Sequence, residues 1–396
     1  MLAAGAPPPL EPAEAARSAQ LVARIRARIV AQGGWLPFAE FMQAALYEPG
    51  LGYYMAEQPI FGAAGDFVTA PELSPLFAAC LANGIADLLE KSGGGDVVEF
   101  GSGSGALAVR VFKSFADRGA SFARYRIVEP SPALAARQRA TLARSPETSA
   151  QLDRFEWLAA PPREAWQGVA FANEVLDALP VDRFRVTPDG AETFGVVVAD
   201  GGFAWSPRPA HGPVASAVES LQRKLPARLP AGFTSELRLS QREWIEAATG
   251  ALSRGAILLA DYGLPRVQYY HPSRDGGTLC GFRRHWRVAD ALATPGAQDI
   301  TAWVDFSALV DDAAHAGFTI GGFATQAHYL LETGIDRELT LLTGPAGEHE
   351  RAAHAQAAAT LLLPGEMGER FKLLALVRGI EGPFLGFGFR DLSASL

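Results

Sequence analysis

Residues 96–106 read Asp96-Val-Val-Glu-Phe-Gly-Ser-Gly-Ser-Gly-Ala106. Val97, Val98 and Phe100 form the short apolar run of a buried parallel strand, and Gly101, Gly103 and Gly105 follow at alternate positions. From Ala106 to Ala116 apolar residues recur at helical spacing, so the unit reads strand, glycine loop, helix. Glycine lacks the Cβ that disfavours positive φ and keeps a ligand away from the backbone. Such a loop admits the close approach of a nucleotide-like ligand.

The neighbouring residues narrow the ligand. A phosphate-binding P-loop ends in Gly-Lys-Ser/Thr, and this loop has no lysine. Gly101, Gly103 and Ala106 do fit the dinucleotide spacing Gly-x-Gly-x-x-Gly/Ala. Glu99, two residues before the first glycine, would oppose a pyrophosphate with like charge, whereas it suits a cation. S-adenosylmethionine has no phosphate and carries an ammonium and a sulfonium, and Glu-x-Gly-x-Gly-x-Gly is the pattern its methyltransferases use. The next apolar strand, Tyr125-Arg-Ile-Val-Glu129, ends in an acid that can accept both ribose hydroxyls. The residues expected to hold this cofactor are Glu99, Gly101, Ser102, Gly103, Gly105, Glu129, Asn173 and Thr69. On this unit alone, an NAD- or FAD-dependent oxidoreductase and a glycine turn without a ligand stand as alternatives.

The 396 residues, 48% of them hydrophobic, suffice for a large core in one enlarged domain or two. A formal net charge of −8 argues against general nucleic-acid binding, which needs a basic face. Two cysteines, Cys80 and Cys280, cannot make a disulfide framework, and Cys280 with His285 lacks the second ligand pair of a zinc site; no metal is expected. No apolar run reaches the roughly 18 residues of a membrane span, and the N-terminus lacks the basic-then-apolar order of a secretory signal. The expected compartment is the cytoplasm.

Along the chain, residues 1–15 are rich in Ala and Pro and read as a disordered tail. Residues 16–95 form a helical region with helices over 16–32 and 37–47, expected to cover one face of the cofactor sheet. Within it, the glycine-hinged segment 62–75 carries Asp66 and Thr69, either as a plain loop and helix cap or as a lid over the donor, and Pro71 opens a helix of about twenty residues. The core begins at 96–180, where strands and helices alternate and so predict a doubly wound parallel sheet. Asn173-Glu-Val-Leu-Asp-Ala-Leu-Pro180 falls at the carboxyl end of its fourth strand, where such sheets bind ligands. Residues 181–235 read as an inserted β-meander with a helix, and 236–263 resume the core with a helix over 237–252 and a strand ending in Asp261-Tyr262. An arginine- and aromatic-rich insertion spans 264–301, the core closes over 302–380 with a late pair of strands, and 381–396 is a tail.

Four segments together resemble the MidA-like methyltransferases: Gly65-Asp-Phe-Val-Thr-Ala-Pro-Glu72, Val98-Glu-Phe-Gly-Ser-Gly-Ser-Gly105, Asn173-Glu-Val-Leu-Asp-Ala-Leu-Pro180 and Asp299-Ile-Thr-Ala-Trp-Val-Asp-Phe306. The glycine motif is shared by many methyltransferases, while the other three are specific to this group, and the likeness covers about residues 35 to 378. It implies a class I, Rossmann-like α/β fold with a seven-stranded sheet and S-adenosylmethionine as donor. For a mitochondrial member it implies symmetric dimethylation of an arginine on a subunit of respiratory complex I. A guanidinium is a planar cation with five donors, and carboxylates are needed to hold it and localise nucleophilic density on one nitrogen. Glu174 and Asp177 are the residues expected to do this, with Asp66 closing the pocket. Methylation of a small molecule or of another side chain, and a non-catalytic assembly protein that keeps the donor pocket, are the competing readings. The oligomeric state and the acceptor are not legible in the sequence.

Overall fold

A computed structural model describes residues 7–57, 60, 70–344 and 346–396. The chain forms two compact units: Val68–Leu176 with Arg242–Gly263 and Phe306–Leu396, and Met1–Phe67 with Asp177–Gln241 and Leu264–Asp305.

The first of these is the doubly wound unit. Its strands are β1 (Asp96–Phe100), β2 (Tyr125–Val128), β3 (Phe155–Leu158), β4 (Trp166–Asn173), β5 (Leu252–Leu264), β6 (Thr319–Thr325) and β7 (Phe371–Arg378). They run in the order β6-β7-β5-β4-β1-β2-β3. The first five are mutually parallel, and β7 is antiparallel to both β5 and β6. Every residue of β1 is buried, as a strand covered on both faces requires. The strand order reverses between β1 and β4, and a ligand crevice opens beyond the carboxyl ends at such a reversal. This is the class I sheet that the sequence predicts.

The helix entering the sheet differs from the expectation of one run from Pro71. A short helix, Ala70–Leu73, stops at Ser74, and a second one runs from Pro75 to Ser92. Pro75 disfavours helical backbone at the preceding residue, so Ser74 is extended (ψ 152°) and its hydroxyl accepts the Leu76 N–H at 3.2 Å. Two helices between β6 and β7, Gln326–Glu332 and Ile335–Thr343, were not among the predicted elements.

The other unit is built on the meander. Strands Asp182–Thr187, Gly190–Ala199 and Gly202–Pro209 pair antiparallel; Leu36–Pro37 adds to the middle strand at Gly195–Val196, and Asp182–Thr187 pairs in turn with Thr234–Leu237. Thr234–Leu237 corrects the predicted helix over 237–252: the helix is confined to Gln241–Thr249, because Thr234–Leu237 is extended and pairs with Asp182–Arg185. The first helix starts at Pro12, inside the segment expected to be a tail, since Pro12 fits the first helical position and the Glu14 carboxylate accepts the Glu11 N–H at 3.0 Å. The helices 12–31 and 38–47 also belong to this unit. They were expected to cover the cofactor sheet; within this unit Phe38 packs on Trp205 (ring centroids 4.6 Å) and Phe41 on Phe203 (5.4 Å), both on the meander.

The insertion 264–301 folds as a small sheet, with Cys280–Arg283 between Trp286–Val288 and Asp299–Thr301. Glu236 ties it to the meander: this buried carboxylate accepts the Thr278 N–H at 2.9 Å and the Tyr269 hydroxyl at 3.4 Å.

Candidate functional site

At the end of β1 the backbone turns through Gly101, Gly103 and Gly105, whose φ values of 65°, 55° and 85° lie in the left-handed region. Gly105 immediately precedes the helix Ala106–Arg118, and its N–H donates to the Ser102 carbonyl at 2.8 Å. A Cβ on Gly105 would stand 3.2 Å from Gln138 Cα and from Leu142 Cδ1, so the loop is pressed against the helix Pro132–Arg144. Ser104 donates its hydroxyl to Glu72 and Arg110 donates to the Pro71 carbonyl, which ties the short helix Ala70–Leu73 to the loop and its helix. Asp66 and Thr69 lie outside the described residues.

Glu99 is 1% exposed, and its Oε2 accepts the Tyr125 hydroxyl at 2.6 Å. Burial pushes the Glu99 carboxyl up to about 7 against the lowering effect of the Tyr125 and Ser102 hydroxyls, and the charge of Glu129 adds to the rise. Ser102 is near enough to act on that titration but makes no hydrogen bond of good geometry with it. Ser102 Oγ and Glu99 Oε1 are both buried without a hydrogen-bond partner. Unsatisfied acceptors of this kind cost free energy unless a ligand or water meets them.

Glu129, directly after β2, is also buried. Its Oε1 accepts the Ser131 N–H at 2.9 Å and its Oε2 accepts the Gln138 amide at 2.9 Å. Burial raises its titration, and those two bonds oppose the rise. A carboxylate has about four lone-pair sites, so two are left for vicinal hydroxyls such as those of a ribose. Gln138 Nε2 also donates to the Gly103 carbonyl at 3.2 Å, which joins this acid to the glycine loop.

β4 ends at Asn173, whose Nδ2 donates to Glu174 Oε1 at 3.1 Å while its Oδ1 is buried without a partner. Glu174 has φ 53°, a left-handed conformation that is uncommon and strained for a residue with a Cβ. Its N–H donates to the Ala260 carbonyl at 2.9 Å. The turn is closed by Asp261 at the end of β5: Oδ2 accepts the Leu176 N–H at 3.0 Å and Oδ1 accepts the Tyr262 N–H at 2.8 Å.

Asp177 belongs to the meander unit. Its Oδ2 accepts the Thr301 hydroxyl at 2.7 Å, and in the same unit Asp299 accepts the Tyr54 hydroxyl at 2.9 Å. The structure therefore gathers Glu99, Gly101, Ser102, Gly103, Gly105 and Glu129 around one loop and sets Asn173 beside Glu174. Tyr125, Gln138 and Asp261 were missed as site residues. Gln138 had a signal: it stands with Leu134 and Leu142 on the buried stripe of its helix, a polar residue at an apolar position. Among the described residues no group of three or more His, Cys, Asp or Glu could hold a metal ion.

A glycine loop without lysine, an acid under it and a second acid poised for a ribose fit a nucleoside ligand with a cationic centre and no phosphate. This fold and site define the class I methyltransferases that use S-adenosylmethionine. Residues 80–324 match the family of S-adenosyl-L-methionine-dependent methyltransferases, and the chain belongs to that family, the MidA-like methyltransferases. It is similar to the human mitochondrial protein arginine methyltransferase NDUFAF7, with 31% identity over 87% of this chain and 80% of that protein. The mouse protein of that name is 30% identical over 93% of this chain and 86% of its own length. A crystal structure of a protein from Burkholderia thailandensis bound to S-adenosyl-homocysteine is 38% identical, with a TM-score of 0.92 over 99% of this chain and 100% of that one. The protein is thus a methyltransferase of the S-adenosylmethionine-dependent kind.

Proposed function

We propose that this protein methylates an arginine side chain of a protein substrate, with Glu174 holding the guanidinium. The observation that carries the reading is the turn at the end of β4. There a carboxylate is held in a strained left-handed backbone conformation by the Ala260 carbonyl and flanked by the Asn173 amide. Strain persists where the surrounding structure over-determines it, and it concentrates at functional positions. The reading agrees with relatives that are named protein arginine methyltransferases. Following the MidA-like resemblance, we take the substrate to be a subunit of respiratory complex I and the product to be symmetric dimethylarginine.

In this reading S-adenosylmethionine supplies the methyl group, and the protein supplies position and charge. The glycine loop and Glu129 take the methionine and ribose portions, with Glu99, Ser102 and Asn173 lending polar atoms from beneath and beside them. Glu174 accepts N–H bonds from the guanidinium, localises nucleophilic density on one nitrogen and stabilises the charge that shifts during transfer. Positioning two reactants in line supplies much of the rate of such a displacement. Among the described residues no helix is long and apolar enough to cross a membrane. Cys80 and Cys280 are both free and buried, which suits a reducing compartment, and we place the protein in the cytoplasm.

The test is methyl transfer from labelled donor to arginine-containing substrate protein, read by mass spectrometry, in wild type and Glu174→Gln. We expect methylarginine from the wild type. The variant should keep donor affinity and lose kcat as well as raise KM, because the carboxylate acts on charge that develops in transfer. Methylarginine formed by folded Glu174→Gln at the wild-type rate would reject the assignment.

A further inference from the structure

We propose that Gln138 is the positioning residue of the donor pocket, holding the glycine loop and the ribose-facing acid in one register, and that Trp157 fixes the direction of its amide. The inference rests on the reading of Glu129 as the ribose acid. It is drawn from a chain of hydrogen bonds that links the glycine loop, the end of β2, the helix Pro132–Arg144 and β3.

Gln138 is fully buried in the helix Pro132–Arg144. Both protons of its Nε2 are committed, one to Glu129 Oε2 at 2.9 Å and the other to the Gly103 carbonyl at 3.2 Å. Its Oε1 accepts the indole N–H of Trp157, on β3, at 3.2 Å. The Arg139 guanidinium lies 4.2 Å from the centre of the Trp157 ring and holds the indole in place.

Only one orientation of the amide satisfies all three contacts. A flipped amide would set its oxygen against a carboxylate and a carbonyl, and its NH2 against an indole N–H that can only donate. Trp157 therefore determines that the donor end of Gln138 faces the pocket wall. The amide in turn spans the two parts of the pocket that grip different ends of the ligand, the loop for the methionine portion and Glu129 for the ribose. The Gln138 Cα also stands where a Cβ on Gly105 would make contact at 3.2 Å, so the loop has no room to shift toward this helix.

S-adenosylmethionine and S-adenosyl-homocysteine share both gripped portions. A residue that only sets the register of the grip stabilises substrate and product alike, and its loss raises KM without lowering kcat. The experiment is calorimetry with each ligand, together with donor-dependent kinetics, on Gln138→Leu, Gln138→Glu, Trp157→Phe and Glu129→Ala.

Gln138→Leu should weaken both ligands by the same factor, on the order of ten-fold for lost buried hydrogen bonds, with kcat kept within about two-fold. Gln138→Glu should restore binding at low pH and lose it as pH rises. The new carboxyl would face Glu129, with Glu99 beyond it and the Arg139 guanidinium across the indole, and two adjacent carboxylates resist joint ionisation. Trp157→Phe should lie between Gln138→Leu and wild type. A residue that served packing alone would keep its affinity in the near-isosteric Gln138→Leu. Wild-type affinity in folded Gln138→Leu, or a flat pH profile in Gln138→Glu, overturns the proposal when Glu129→Ala has lost its binding. Wild-type affinity in Glu129→Ala would instead overturn the reading of the pocket itself.

Discussion

The ends of β1 and β4 both carry acids at the carboxyl edge of the same sheet, and they are held in opposite ways. Around β1 the carboxyls of Glu99 and Glu129 are buried and fixed by side chains and a backbone N–H: the Tyr125 hydroxyl, the Gln138 amide and Ser131. After β4, Glu174 is fixed chiefly through its backbone, by a left-handed φ, a bond to the Ala260 carbonyl and a turn closed by Asp261. The difference suits a division of labour. A donor grip that must bind two similar ligands repeatedly is built from packed groups with little room to move, with Glu99 Oε1 and Ser102 Oγ left for a ligand or water to meet. In the proposed reading, the carboxylate that meets the acceptor is presented on a turn whose backbone shape is set by Ala260 and Asp261.

The comparison breaks most visibly at Gly105. Valine there would need a left-handed backbone at φ 85° and would press on Gln138 and Leu142. We expect Gly105→Val to lose roughly 2–4 kcal/mol of stability from strain and overpacking, and to show no donor binding by calorimetry. A folded Gly105→Val that binds S-adenosyl-homocysteine normally would show that the loop has more room than the packing allows.

A smaller effect sharpens the donor side. Burial dominates the raised titration of Glu99, to about 7 from an ordinary 4.5, and the Tyr125 hydroxyl opposes it. A carboxyl whose titration is higher in the fold than in the unfolded chain contributes stability below about pH 4.5, and that contribution is lost as pH rises through 7. Tyr125→Phe removes the opposing bond, so Glu99 should titrate higher still and the loss should extend further up the pH scale. The cost at pH 8 should be about 1–3 kcal/mol for a buried carboxylate deprived of its donor. Carboxyl carbon shifts of Glu99 across pH, with denaturation at pH 5 and 8, provide the check. An unchanged titration in Tyr125→Phe would mean that the bond does not stabilise the charged form.

The same contrast explains what was legible in the sequence. Glycine spacing, an acid before the loop and an acid ending the next strand are local patterns, and they mark the glycine loop and the sheet around it. The partners of those acids lie outside the motif, on the next strand and the helix after it. Tyr125 looked like one more apolar strand residue, and Gln138 was visible only as a polar break in the Leu134–Leu142 stripe. The left-handed Glu174 carries no sequence mark at all, because the residue type argues against that conformation and tertiary contacts impose it. The meander as a packing partner of the N-terminal helices was hidden for a related reason. Their apolar faces announce burial, but only the aromatic residues Phe203 and Trp205, more than 150 residues further on, decide where.

The smallest expected change in stability offers the most direct test of the acceptor turn. Glu174→Gly relieves the left-handed strain of roughly 1–2 kcal/mol and incurs about 0.5–1 kcal/mol of backbone entropy, so the net effect is a gain of about 0–1.5 kcal/mol. On one preparation of Glu174→Gly, the melting temperature, S-adenosyl-homocysteine affinity and methyl transfer to arginine should be measured together. The account predicts a melting temperature equal to or slightly above wild type, unchanged affinity and no transfer. Transfer retained at the wild-type rate, with affinity and folding intact, would contradict it.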